Sequence, residues 1–124
     1  MASSVLIDTH VLIWVLTKSG KLKGLPWIDR FSVLTVSPIS LLEIRLLREI
    51  RRLSVDFTEI LANLKQDERF CIDNASLDEL CATAYDLSWT RDPFDRLLVA
   101  HSIVSDLPFG TEDVKIREHY SNVL

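Results

Sequence analysis

The sequence predicts an α/β fold in three layers, with a central parallel sheet between helices, and three observations predict it. Short apolar and β-branched runs alternate with stretches of helical periodicity. Helices lie between the strands, which points to βαβ units and hence a parallel sheet covered on both faces. The chain also lacks repeats, low-complexity tracts and Pro/Gly-rich linkers, so residues 1–124 are expected to form one domain.

The elements follow in order. Ser4 to Ile7 is a short apolar run and reads as a buried strand, and residues 9–17 read as a helix. Residues 32–36 give a second strand and residues 38–53 a long helix, with Pro38 suited to its first turn. A helix over 57–65 precedes a short strand over 70–72. The capping box Ser76-x-x-Glu79 starts a helix over 77–87. Asp92-Pro93-Phe94-Asp95 reads as cap, proline at the first helical position and an acid at the third, opening a helix over 93–105. Residues 107–110 form a short strand, 114–120 a helix and 122–124 a last strand.

With 124 residues the chain can bury a core without disulfides or structural metal. Its 48% hydrophobic and 26% charged residues suit a soluble globular protein, and no apolar run approaches the roughly 18 residues of a membrane span. Met1-Ala2-Ser3-Ser4 has no basic segment ahead of the apolar run, so no secretory signal is read and a cytoplasmic location is expected. A net charge of −4 argues against binding nucleic acid through bulk positive potential, unless cations neutralise acids gathered in one crevice. Cys71 and Cys81 form no CxxC pair and are expected to be small apolar core residues. His10, His101 and His119 are isolated, which argues against zinc. Trp14, Trp27 and Trp89 are scattered and read as core or interface, and the arginines at 45, 48, 51 and 52 as a solvated face paired with Glu49.

Four carboxylates carry the chemistry. Asp8 ends the first apolar run, where it can cap the next helix. Glu43 shares a helix face with Ile39, Leu46, Leu47 and Ile50, at i−4, i+3, i+4 and i+7, where a charge needs an arginine or a metal. Asp95 opens an apolar helix beside Asp92. Asp113 follows Thr111 and Glu112, as a turn residue or a cap, with the Thr111 hydroxyl nearby. Bare carboxylates about 4 Å apart repel by roughly 4 kcal/mol at an effective dielectric near 20, so four in one place call for a cation. An all-oxygen donor set suits Mg²⁺ or Mn²⁺.

The order of motifs, Leu6-Ile7-Asp8-Thr9-His10, Ser37-Pro38-Ile39-Ser40-Leu41-Leu42-Glu43-Ile44, Arg91-Asp92-Pro93-Phe94-Asp95-Arg96-Leu97-Leu98-Val99-Ala100 and Thr111-Glu112-Asp113, closely resembles the PIN-domain family. It is most similar to the VapC-like ribonuclease toxins of bacterial type II toxin–antitoxin pairs. The resemblance covers nearly the whole chain. It implies a PIN-like three-layer fold and Mg²⁺- or Mn²⁺-dependent cleavage of RNA. It implies that Asp8, Glu43, Asp95 and Asp113 are the catalytic, metal-binding acids. Asp8 and Asp95 are then expected as direct ligands, with Glu43 and Asp113 acting through water or on a second metal. Thr9, Ser37, Asp92 and Thr111 become accessory positions near the site. A homodimer blocked by a cognate antitoxin protein is implied as well. Gly110 departs from the pattern, because the family often has an apolar residue directly before that Thr.

Two other readings compete. A receiver domain of two-component signalling has a similar size and acidic cluster, but it would need an acidic pair after the first strand and a lysine after a late one. This chain has a single Asp8 there and no lysine from Leu107 to Thr111. A catalytically inactive PIN-like domain that only binds partners would have no use for four clustered acids.

Overall fold

The chain is described by a computed structural model over residues 3–50, 52 and 57–124. Strand β1 (Ser4–Ile7) leads through Asp8 into helix α1 (Thr9–Leu16), and two 3-10 turns, Gly20–Gly24 and Pro26–Arg30, lead to β2 (Val33–Val36). There follow α2 (Pro38–Glu49), α3 (Phe57–Gln66), β3 (Phe70–Ile72), α4 (Leu77–Ala84), α5 (Pro93–Ser105), β4 (Phe109–Gly110) and α6 (Val114–His119). The strands form one parallel sheet in the order β3-β2-β1-β4. The α/β expectation therefore holds. The last expected strand is reduced to a bridge in which Val123 pairs with Phe109.

Side chains of β1 alternate across the sheet and create two cores. Val5 and Ile7 join Leu34, Val36, Leu12, Ile44, Ile60 and Leu64 on one face. Leu6 joins Leu98, Val99, Phe109 and Ile116 on the other. Helices α1, α2 and α3 thus cover one face, and α5 and α6 cover the other. A strand buried on both sides has no polar alternation, which is why β1 reads as an unbroken apolar run.

The register decides where function can sit. Leu6 pairs with Thr35 on one side and with Phe109 on the other, and Thr35 pairs with Cys71. All the strands consequently end along one edge, at Asp8, Ser37, Asp73 and Thr111. The Asp8 N–H donates to the Gly110 carbonyl at 2.9 Å and the Asp73 N–H to the Val36 carbonyl at 3.0 Å. From β1 the chain proceeds outward through β2 and β3, then returns to β4 on β1's other side. The order reverses between β1 and β4, the switch point where crevices open in such sheets.

Gly110 has a local cause. A Cβ built on it would clash with the Trp27 ring, which packs directly on the β4 backbone. Trp27 is buried, and its indole N–H has no hydrogen-bond partner among the described residues. The indole therefore fills the place where an apolar side chain would stand.

Other expectations shift. Cys71 and Cys81 are exposed, not core. Cys71 lies on the edge strand β3, and Cys81 on a face of α4 that turns away from buried Leu80 and Ala84. Helix α4 ends at Ala84, and its Ser76 cap makes no side-chain bond. Helix α2 ends at Glu49, and residue 53, to which the sequence extends it, lies outside the described residues. Arg45 pairs with Glu49 at 3.1 Å, as a solvated face would. Arg51 also lies outside the described residues.

Gly110→Val is expected to lower stability by about 1 to 3 kcal/mol, since the new side chain must displace a buried indole. Urea unfolding of the purified variant measures the loss, and an unchanged midpoint would contradict the packing described.

Candidate active site

The strand-end edge presents its acids from four segments. Asp8 caps α1, its Oδ1 accepting the Thr9 N–H at 2.7 Å, while its Oδ2 accepts the Thr111 hydroxyl at 2.6 Å. The Asp113 N–H donates to Thr111 Oγ1 at 3.0 Å, and Asp113 Oδ1 caps α6 by accepting from the Ile116 N–H at 2.9 Å. Asp92 caps α5, its Oδ1 accepting from the N–H groups of Phe94 and Asp95 at 2.9 and 3.2 Å. Three of these acids thus begin helices, as their sequence positions suggest. Capping oxygens can still face a ligand, because each carboxylate oxygen has two lone pairs.

Asp8, Glu43, Asp92, Asp95, Glu112 and Asp113 line one crevice of about 270 Å³. His10, Val11 and Trp14 complete its wall from α1. All four sequence-predicted acids therefore meet, with Asp92 beside them. Glu112 carries no signal of its own in the sequence, and Trp14 reads there as core or interface. Glu112 adjoins Asp113, and Trp14 lies one helical turn after His10, which is the only hint the sequence gives of either.

Thr9 and Ser37 do not line this crevice. Both are fully buried, with the Thr9 hydroxyl donating to Ser40 Oγ at 2.9 Å. Thr111 is buried too, but it acts on the site through Asp8. Glu43 lies on a stripe that is only half buried, with Ile39 and Leu47 packed against the cores. The inward face of α2 runs through Ser40 and Ile44, whereas Leu46 and Ile50 are 39% and 51% exposed. Glu43 sits where that face gives way to the crevice, and its Oε1 is buried with no hydrogen-bond partner among the described residues.

The Ser37 hydroxyl belongs to a different construction. It lies 2.7 Å from His101 Nδ1, and His101 Nε2 lies 2.8 Å from Asp73 Oδ2, which also accepts the Ser105 hydroxyl at 2.6 Å. An ionised Asp73 only accepts, so Nε2 carries the proton and Nδ1 accepts from Ser37. The order Ser-His-Asp is that of a hydrolase triad. Ser37 and His101 are both fully buried, however, so no substrate can reach the hydroxyl. The group is a brace that ties α5 to the ends of β2 and β3.

A family model for the PIN domain matches residues 5–121. The chain belongs to the PIN-domain family. Among solved structures it is similar to a chain of a toxin-antitoxin complex from Klebsiella pneumoniae, with a TM-score of 0.71 and 16% identity over 97% of this chain and 95% of that one. It is also similar to a chain in the crystal structure of VapBC2 from Rickettsia felis bound to a DNA fragment from their promoter. There the TM-score is 0.65 and the identity 15%, over 98% and 96% of the two chains. At such identities the likeness is one of fold. No curated protein matches the chain in sequence.

Electrostatics in this PIN domain follow from crowding. Burial pushes the Asp8 carboxyl above its ordinary range, against the opposing hydrogen bonds from Thr111 and Thr9. Burial likewise raises Glu43, with the charges of Asp8 and Asp92 adding to it and the Thr9 hydroxyl opposing. Asp95 is pushed up to about 7, by burial first and then by Asp92, Asp8, Asp113 and Glu43. Among the described residues no three His, Cys, Asp or Glu side chains draw together into a ready-made metal-binding group. The donors nevertheless fit a hard divalent cation. All are carboxylate oxygens, and Glu43 Oε1 is a buried acceptor without a donor.

The two groups of acids should respond to pH with opposite signs. Asp95 has a folded pKa above its unfolded value of 3.8. Its contribution to stability is full below 3.8 and is lost as the pH rises through about 7. The metal-free PIN domain should therefore lose thermal stability as the pH rises from 3.8 to about 7 and level off above that, and Asp95→Asn should flatten part of that fall. Asp73 has a lowered value, held down by Ser105 and then His101. Its contribution is present above 3.8 and lost as the pH falls through the lower folded value. The deficit of Asp73→Asn against wild type should thus be constant at neutral pH and shrink in acid, which thermal melts across pH would read.

Proposed function

We propose that this chain is a Mg²⁺- or Mn²⁺-dependent ribonuclease that hydrolyses RNA phosphodiester bonds, and that it is the toxin of a toxin–antitoxin pair. The observation that carries the reading is the convergence of Asp8, Glu43, Asp95 and Asp113 on one crevice at the switch point of a PIN fold. Residues 1–124 act as one PIN-like domain in this reading.

Asp8 and Asp95 are the residues we assign to hold the metal directly, with Glu43 and Asp113 acting through water or on a second ion. A bound divalent cation would supply a water acidic enough to attack at neutral pH and a clamp for phosphate oxygens. The chain's own part is placement. Thr111 fixes the Asp8 carboxylate by donating to Oδ2, so that Asp8 is oriented before any ligand arrives. Helix α5 holds Asp92 and Asp95 within one turn of each other, and its buried segment Leu98 to Ser102 keeps them at a fixed position on the rim. The raised pKa of Asp95 means that a cation and protons compete for it, so metal affinity should rise with pH from 6 to 8.

One structural neighbour is a chain of a toxin-antitoxin complex, which supports an antitoxin protein as partner; the homodimer is part of this reading through the family resemblance alone. No helix among the described residues is long and apolar enough to cross a membrane, in keeping with a cytoplasmic site of action.

Asp8→Asn and Asp95→Asn are expected to lower the rate of RNA cleavage in Mg²⁺ or Mn²⁺ by about 100-fold or more while keeping the fold, because the amide removes the charge and keeps an acceptor oxygen. Cleavage of labelled single-stranded RNA, with circular dichroism as the check on folding, measures both. Full activity in either variant would sink the assignment, and a wild type inert in both metals would leave a domain that binds partners without cutting.

A further inference from the structure

Beside the acidic crevice lies a second hollow of about 630 Å³, a size typical of sites for small ligands. It shares His10, Trp14, Glu43 and Asp92 with the crevice, so the two are continuous. Its character is different. Beyond the shared acids it is walled by Leu46, Leu47 and Phe94, with Arg52 also on its lining.

Leu46 is partly exposed and lines the hollow at the edge of the acidic site, one turn from the exposed Leu42 and Ile50 on either side of it along α2. Trp14 is half-buried, and its ring is held by the Lys21 ammonium 5.3 Å from the centroid. Whatever spans both spaces must offer an anionic, metal-seeking group to the carboxylates and an apolar, flat body to the hollow. It must also suit a guanidinium at Arg52. A nucleic acid strand has these three properties in sequence, as phosphate, base and next phosphate. Aromatic side chains accept unpaired bases of any identity by stacking.

Resting on the ribonuclease reading above, we propose that this hollow is a base subsite. It takes the unpaired nucleobase of the nucleotide next to the cleaved phosphodiester, with Trp14 and Phe94 as stacking surfaces and Leu46 and Leu47 as the apolar floor. Arg52 meets the following phosphate. The site therefore requires single-stranded RNA, because a paired base cannot enter.

A panel of short single-stranded oligoribonucleotides, each with one base removed near the cut, tests this by kcat/KM. In the wild type, loss of one particular neighbouring base should reduce kcat/KM by about tenfold. In Trp14→Ala the intact oligonucleotide should be cut about tenfold less efficiently, and removal of that same base should then cost less than about twofold. Leu46→Glu, on an exposed side chain that the fold does not need, should behave in the same way and keeps the test valid if Trp14→Ala is unstable. Equal base-removal penalties in the wild type and the variants would overturn the subsite, and would leave the hollow to a protein segment instead.

Fluorescence anisotropy of the same labelled oligonucleotides with Ca²⁺ present reads the subsite without cleavage. The base-dependent part of wild-type binding should vanish in the variants. If the wild type cuts no RNA yet shows this pattern, the ribonuclease reading fails and the subsite stands. If it cuts RNA without the pattern, the reverse holds, and absence of binding by the wild type overturns the subsite.

Discussion

The parallel pairing of β1 with a neighbour on each side is the constraint on which the rest of the molecule depends. Because β1 lies between β2 and β4 in matched register, Asp8 is delivered to the point where the strand order reverses. That placement gives Asp8 the Thr111 hydroxyl across the sheet, while the start of α1 supplies the Thr9 amide locally. A one-residue slip of β4 would move Thr111 away and turn the β4 side chains to the opposite face. The crevice is thus a product of sheet register before it is a product of any acid.

Charge is the second determinant. Six acidic side chains face one another across the crevice, and burial raises the proton affinity of the innermost. What makes so dense an arrangement tolerable is backbone. The amide groups at the starts of α1 and α5 point at Asp8 and Asp92, and the partial positive charge of each helix start offsets part of the repulsion. The protein carries a net charge of −4 while concentrating its acids, which fits a site completed by cations better than a surface that attracts phosphate by itself.

Much of this was legible in the chain. Element order and the parallel sheet follow from apolar runs and capping signals, and the meeting of Asp8, Glu43, Asp95 and Asp113 from the resemblance of the motifs to the PIN family. Glu43 was identified for a reason that the structure revises. Helix periodicity groups it with Ile39, Leu46, Leu47 and Ile50, of which Ile39 and Leu47 pack against the cores while Leu46 and Ile50 are exposed, so the stripe is the rim of a core face. The His101 brace was illegible because its partners, Ser37 and Asp73, are 64 and 28 residues away and meet only through the sheet. The exposure of Cys71 could not be read either, since edge and central strands have similar short sequences. Trp14 reads as core or interface and does pack against the core on one side, while the juxtaposition of α1 and α2 also gives it a cavity to line.

Gly110 and Trp27 form a pair with a consequence for comparing related chains. The indole occupies the volume that an aliphatic side chain at position 110 would need. The two positions are therefore alternatives for filling one space, a large ring donated by the turn before β2 or a branched side chain donated by β4. A relative with the aliphatic residue should have a small residue, or a shorter loop, where Trp27 stands. Substituting one of the two positions without the other transplants half of a joint, and it weakens the packing at this seam even when every acid is retained.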